Sequence, residues 1–159
     1  MIPIRYIQGD ATRPQGEGIK VIAHICNDVG LWGAGFVLAI TAEFGNEPER
    51  QYRKWQKNPP ANRPFALGQI QIVPVRHDVY ICNMIAQHGI KDVSGRPPIS
   101  YEWLCVCLER LAAFVFPLDG VSVHMPRIGC GLAGGKWEHV EAVVSDLSEN
   151  DIPVTVYDL

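Results

Sequence analysis

Four glycines fall within seven residues, Gly129, Gly131, Gly134 and Gly135, between an apolar run ending at Met125 and a helix-forming segment from Lys136. Glycine lets backbone N–H groups approach a ligand unobstructed, and the N-terminus of a following helix favours an anion. The chemistry this implies is a phosphate cradle; a plain tight connection needs fewer glycines. A second glycine-rich turn, Gly30-Leu31-Trp32-Gly33-Ala34-Gly35-Phe36, opens another helical segment just after Ala23-His24-Ile25-Cys26-Asn27-Asp28. Two such turns suggest a diphosphate held from both sides. Asn27 can fix a ribose hydroxyl through its amide, although Asn also serves turns without any ligand. His24 is as well explained by a histidine satisfied inside the fold as by a catalytic one. Earlier, Gln8-Gly9-Asp10-Ala11 places a carboxylate after a strand, where it can accept from an adenine amino group; an Asp after Gly equally suits a turn.

Two familiar phosphate motifs do not fit. Gly129-Cys-Gly131-Leu-Ala-Gly134 spells GxGxxG, but that fingerprint opens a βαβ unit with further strands beyond, and here one strand-like run remains. Taking Gly135-Lys136 as the GK of a Walker loop puts its first glycine on Cys130 and its Ser/Thr on Trp137. What remains is a ligand with a diphosphate and a nucleoside.

The elements that must position these turns are read from periodicity. Short β-rich runs cover Ile2–Gln8, Lys20–His24, Gln69–Val75, Val79–Met84, Val121–Met125 and Val154–Tyr157, and helical spacing covers Gly33–Phe44, Pro48–Gln56, Ser100–Phe114 and Lys136–Leu147. Interleaved strands and helices imply an α/β fold, with a mixed sheet of about six strands covered on both faces. The runs Val79–Met84 and Val121–Met125 are apolar on both faces and belong in the sheet interior. The first strands are expected to pair as neighbours. Ser100 is a candidate cap for the third helix, whose apolar stripe is Trp103, Leu104, Cys107 and Leu111. Trp103 and Trp137 are core candidates by spacing, while Trp32, inside the first glycine turn, is a candidate ligand contact. The basic residues Arg50, Arg53, Lys54 and Lys57 read as a solvated helix face.

The 159 residues fit one domain spanning 1–159, able to bury a core without staples. A net charge of -3 gives no basic field for gripping an extended nucleic acid. Contact with a single terminal nucleotide is compatible with it. The cysteines, at 26, 82, 105, 107 and 130, have no CxxC spacing and read as reduced thiols, with no metal site and no cofactor implied. Without a leader-like start or an apolar run of spanning length, a cytoplasmic, monomeric protein without membrane contact is expected.

Gly9-Asp10, Ala23-His24, Gly33-Ala34-Gly35, Met125-Pro-Arg-Ile-Gly-Cys-Gly-Leu132, Trp137-Glu138 and Val154-Thr-Val-Tyr157 occur in the order found in macrodomains, the ADP-ribose-binding family that this chain resembles over nearly its whole length. It is most similar to the branch holding the terminal ADP-ribose protein glycohydrolase and a chromatin-remodeller macrodomain. The resemblance implies a three-layer α/β/α sandwich. It also implies that Gly9, Asp10 and Ala11 meet the adenine, with Tyr157 near the ring unless it only packs an edge strand. Trp32, Gly33, Ala34, Gly35 and Phe36 would form one phosphate loop. Ile128, Gly129, Cys130, Gly131, Leu132, Ala133 and Gly134 would form the other, and Asn27 and Gln87 would lie by the distal ribose.

In the hydrolase of that branch, a lysine attacks the opened distal ribose and an aspartate in the second loop assists. Aligned by motif, those positions are Gln87 and Ala133 here. A carboxamide forms no Schiff base and alanine is no general base, so that covalent route is closed. Two readings follow. In one, the chain hydrolyses mono-ADP-ribosyl linkages by attack of a water positioned at the distal ribose, with Asn27 holding the ribose and Asp28, His24 or His88 handling protons. In the other, the pocket reads ADP-ribose or an ADP-ribosylated macromolecule without turnover. The hydrolase is the expectation adopted, because a single domain without an attached module fits an eraser better than a reader. Replacing Asn27 is then expected to slow turnover more than it weakens binding.

Overall fold

The computed structural model describes residues 1–159 and contains six strands and four helices. In chain order these are β1 (Arg5–Gln8), β2 (Lys20–Asn27), α1 (Phe36–Phe44), α2 (Glu47–Lys57), β3 (Ile70–Arg76), β4 (Val79–Gln87), α3 (Tyr101–Val115), β5 (Ser122–Met125), α4 (Trp137–Glu149) and β6 (Val154–Asp158). They form one sheet of order β1-β6-β5-β2-β4-β3. Every pairing is parallel except the antiparallel β3–β4 hairpin, so the sheet is mixed.

Position in the sheet follows burial. β2 and β4 are apolar and almost wholly buried, which suits interior strands of a parallel sheet. β1 is exposed along most of its length and takes an edge, pairing with β6. The expected pairing of the first two strands is therefore corrected: β2 lies between β4 and β5, and β1 lies outside β6.

Alternation along the strands sends side chains into two cores. On one face Val21 and Ala23 of β2 join Cys82, Met84 and Ala86 of β4 under α3 and α4. On the other, Ile22, Cys26, Val79 and Ile81 pack with Ile40 of α1 and Tyr52 of α2. Helices thus cover both faces.

The helix boundaries explain the glycines. Ser100 caps α3, its hydroxyl accepting from the Trp103 N–H at 3.2 Å. α1 begins at Phe36, later than its hydrophobic spacing suggests, because Gly35 sits at φ 83°, a left-handed conformation that breaks the helix there. Neither α1 nor α4 has a side-chain N-cap bond. Trp103 is not in the core: its ring lies over Gly68 and stays 38% exposed, while Leu104, Cys107 and Leu111 are buried. Trp137 is likewise only half-buried, edge-on to Tyr6 and under the Arg127 guanidinium. Arg50 and Arg53 form the solvated face of α2, paired with Glu47 and Glu49.

Candidate functional site: a cleft between two glycine loops

The loops after β2 and β5 face each other across a cleft of about 250 Å³ at the C-terminal ends of the parallel strands. Ligands bind at this end in open α/β sheets. Ala34, Gly35 and Phe36 form one wall, Ile128, Gly129, Gly131, Leu132 and Ala133 the other, with His24 and Gln87 between them. The walls come close, since a Cβ on Gly35 would sit 3.8 Å from Leu132 Cδ1.

Their main-chain donors are the decisive feature. The N–H groups of Gly33, Ala34 and Gly35, and of Gly129, Cys130, Gly131, Leu132 and Ala133, donate to no acceptor in the protein. The second loop is closed only behind them, by Gly134 N–H to Gly131 O at 3.0 Å and Gly135 N–H to Gly129 O at 2.7 Å. Two rows of free donors, one leading into each uncapped helix, suit an anion with several oxygens.

The chain belongs to the Macro domain family. The family's model matches residues 23–144. An ADP-ribose glycohydrolase of Bos taurus is 29% identical, covering 98% of this chain and 91% of its own length. An ADP-ribose 1''-phosphate phosphatase of Lodderomyces elongisporus is also 29% identical, over 98% of this chain and 99% of its own. The solved structure of a macrodomain protein from Streptomyces coelicolor is 47% identical, covers 99% of each chain and has a TM-score of 0.85.

Within this macrodomain, the residues singled out from sequence fall into distinct settings. Gln87 lines the cleft and donates from Nε2 to Gly89 O at 3.0 Å, while Ala133 is buried in the opposite wall. The cleft therefore has no amine at 87 and no carboxylate at 133.

Asn27 ends β2 beyond a register shift: Cys26 pairs with Ile85, but Asn27 pairs with Gln87. Its Oδ1 accepts from Val29 N and Leu31 N, both at 3.1 Å, and its Nδ2 donates to Leu31 O at 2.8 Å. The buried Tyr52 hydroxyl reaches both its main-chain O at 2.5 Å and its Oδ1 at 2.9 Å. One amide N–H remains for a ligand. The principal work of Asn27 is to hold the first loop onto α2.

Trp32 is 3% exposed, with its indole N–H bound to Thr41 Oγ1 at 2.9 Å and its ring between His24 and Tyr52. The expected contact through its ring is corrected, because the ring faces the core and only its backbone belongs to the loop. His24 lies inside β2 rather than at its end, and is 1% exposed. Its Nε2 donates to Asn83 Oδ1 at 2.5 Å, since Asn83 uses Nδ2 to reach Gln71 Oε1. Burial pushes its pKa down to about 4. A buried imidazole that resists protonation is a poor proton carrier, so its catalytic assignment is corrected to cleft-floor packing.

At the other end, Asp10 Oδ1 accepts from Thr12 Oγ1 at 2.7 Å and Thr12 N at 2.9 Å, bonds that hold its carboxyl below the usual range and leave Oδ2 free. Ala11 is buried beside it. Tyr157 is not on an edge strand, because β6 lies between β1 and β5. It is 3% exposed, and its ring meets Gly9, where a Cβ would be 3.3 Å away. Its hydroxyl accepts from Gln15 N at 2.9 Å and lies 2.7 Å from His124 Nδ1. Tyr157 thus supports the Gly9–Asp10 turn from below.

Arg127 was not singled out from sequence, yet it lines the cleft. Two bonds to Asp158, at 2.7 and 3.1 Å, fix its guanidinium beside Tyr6 and Trp137. It is the one cation in the Met125–Leu132 string, the signal that could have marked it. A wider groove of about 470 Å³ between α3 and α4 is lined by Leu108, Ala112, Phe116 and Leu147, with Glu109 and Asp146 as its charges. Apolar walls and carboxylates disfavour a diphosphate there. No helix is long and apolar enough to cross a membrane.

Proposed function

We propose that the chain binds ADP-ribose with its diphosphate between the two glycine loops and hydrolyses mono-ADP-ribosyl linkages. Candidate linkages are a protein carboxylate ester, ADP-ribose 1''-phosphate and nucleic-acid-linked ADP-ribose. The observation that carries the reading is the facing rows of free N–H donors in Gly33–Gly35 and Gly129–Ala133. Relatives named as an ADP-ribose glycohydrolase and an ADP-ribose 1''-phosphate phosphatase support the hydrolase class. In this reading Asp10 takes the adenine amino group on its free Oδ2, and Asn27 and Gln87 border the distal ribose. The protein works as one domain and as a monomer, in the cytoplasm.

With Gln87 and Ala133 in place of a lysine and an aspartate, turnover proceeds by direct attack of water on the anomeric carbon. A carboxylate or phosphate leaves readily, so orientation of the ribose and charge stabilisation by the loop donors supply most of the acceleration. The test is release of ADP-ribose from glutamate-linked protein, ADP-ribose 1''-phosphate and ADP-ribosylated DNA, alongside calorimetry with ADP-ribose, NAD and AMP. Selective ADP-ribose binding with release from one substrate supports the reading. Binding without release favours the second reading, a non-catalytic reader of ADP-ribose, which Gln87 and Ala133 themselves favour.

A further inference from the structure

We propose that His88, oriented by Asp28, is the base that accepts the proton of the attacking water; this rests on the hydrolase reading above. β2 and β4 are neighbours whose last residues, Asn27 and Gln87, are register partners. The residues that follow them meet directly. Asp28 Oδ2 lies 2.7 Å from His88 Nδ1, and Asp28 Oδ1 accepts from Gly89 N at 2.8 Å. The main chain is fixed as well, with Asp28 N–H donating to Gln87 O at 3.0 Å and His88 N–H to Pro98 O at 2.9 Å. The carboxylate is held at both oxygens with its side chain 17% exposed, whereas the imidazole is 78% exposed.

This is the arrangement a general base needs. A carboxylate accepts, so the bond places the imidazole proton on Nδ1 and leaves the Nε2 lone pair free. Gln87 lines the glycine-loop cleft, and His88, the next residue, lines a second groove with Lys91, Arg96 and Trp103. The exposed imidazole thus belongs to the residue that directly follows a cleft-lining one. In the proposed binding mode, a distal ribose beside Gln87 would present its anomeric carbon toward that residue. His24 offers no equivalent, because its ring is buried in the sheet, 1% exposed, and its hydrogen-bond partner is the neutral amide of Asn83 rather than a carboxylate.

The step balances without a co-reactant. The water oxygen forms a bond to the anomeric carbon while the bond from that carbon to the carrier oxygen breaks, its electron pair remaining on the leaving carboxylate or phosphate. The water proton passes to His88 Nε2, and Asp28 stabilises the resulting imidazolium. The exposed ring then returns the proton to solvent. The charged groups facing His88 are Asp28, from the end of β2, and Lys91 and Arg96 along the groove; Ser100 and Trp103 are what α3 and its cap present.

The experiment compares the unmodified protein with His88→Gln and Asp28→Asn, using whichever of the three substrates it hydrolyses, with ADP-ribose affinity measured by calorimetry. His88→Gln is expected to lower kcat about 100-fold, the usual scale of general-base catalysis. It should leave ADP-ribose Kd within about twofold, and abolish the acidic limb of the kcat/KM profile. Asp28→Asn keeps an acceptor for Gly89 N–H, but its amide donates to Nδ1 and forces the proton onto Nε2. It should therefore lose a similar factor in kcat at unchanged affinity. Release that persists in His88→Gln with the acidic limb intact overturns the proposal and leaves the hydrolase reading standing. ADP-ribose binding with no release from any substrate by the unmodified protein overturns both.

Discussion

The two glycine loops face the same cleft but are held by opposite means. The first is anchored by side chains: Asn27 binds Val29 and Leu31, Tyr52 reaches back to Asn27, and the Trp32 ring is sunk in the core. The second is anchored by lack of side chains. Gly129 lies at φ 73°, and a Cβ there would fall 2.4 Å from Ile99 Cδ1; one on Gly135 would fall 2.5 Å from Gly129 O. A ligand-facing loop can thus be rigid because its flanks reach into the core, or because its backbone packs so closely that nothing larger fits. Each loop also has one unconstrained glycine: Gly33 and Gly131 have open space where a Cβ would go and no positive φ.

The contrast is broken most sharply at Gly131. Gly131→Glu should fold normally, with unchanged melting temperature, yet lose more than ~100-fold in ADP-ribose affinity by calorimetry, because the new carboxylate faces the diphosphate. Retained binding would remove the phosphate-loop assignment. Gly129→Ala tests the packing argument. It must occupy a left-handed conformation and displace Ile99, costing about 3 kcal/mol in urea unfolding, and a loss below ~0.5 kcal/mol would show that the second loop is not held by close packing.

Asn27→Ala addresses the first loop and revises the earlier expectation for this residue. Because its amide organises Val29, Leu31 and Tyr52, the substitution should cost about 2 kcal/mol of stability and weaken affinity together with turnover. Turnover lost at full affinity and stability would return Asn27 to the ribose. The smallest effect is expected for Gly33→Ala, within about 0.5 kcal/mol of stability. A large loss there would mean that the first loop, too, depends on backbone packing.

Much of this was legible in the sequence because it rests on local chemistry. Glycine clusters before helical segments marked both loops, continuous apolar runs marked β4 and β5 as interior, and Ser100 read correctly as a cap. What escaped depends on contacts far apart in the chain. Trp32 has the sequence neighbours of a ligand-contacting residue, but Tyr52 and Thr41 determine that its ring turns inward. His24 sits three residues short of the end of its strand, and its partner Asn83 comes from another strand, 59 positions away. Arg127 gains its place in the cleft wall from Asp158, 31 positions later at the end of β6.

The shift in register between Cys26 and Asn27 has a consequence for how this chain can vary in length. Ile22 and Cys26 face the α1/α2 core, and uninterrupted alternation would turn Asn27 toward the α3/α4 core. At the shift, where Ala86 of β4 is left without a partner on β2, the Asn27 carboxamide instead lies on the Tyr52 side. Deleting a single residue at the end of β2 would pull the Asn27 amide back along the strand and strip Tyr52 of its partner. Lengthening the exposed turn between α2 and β3 by several residues would leave that geometry untouched. Among descendants of this sequence, insertions and deletions should accumulate at that turn and be purged from the end of β2, whatever substitutions either region accepts.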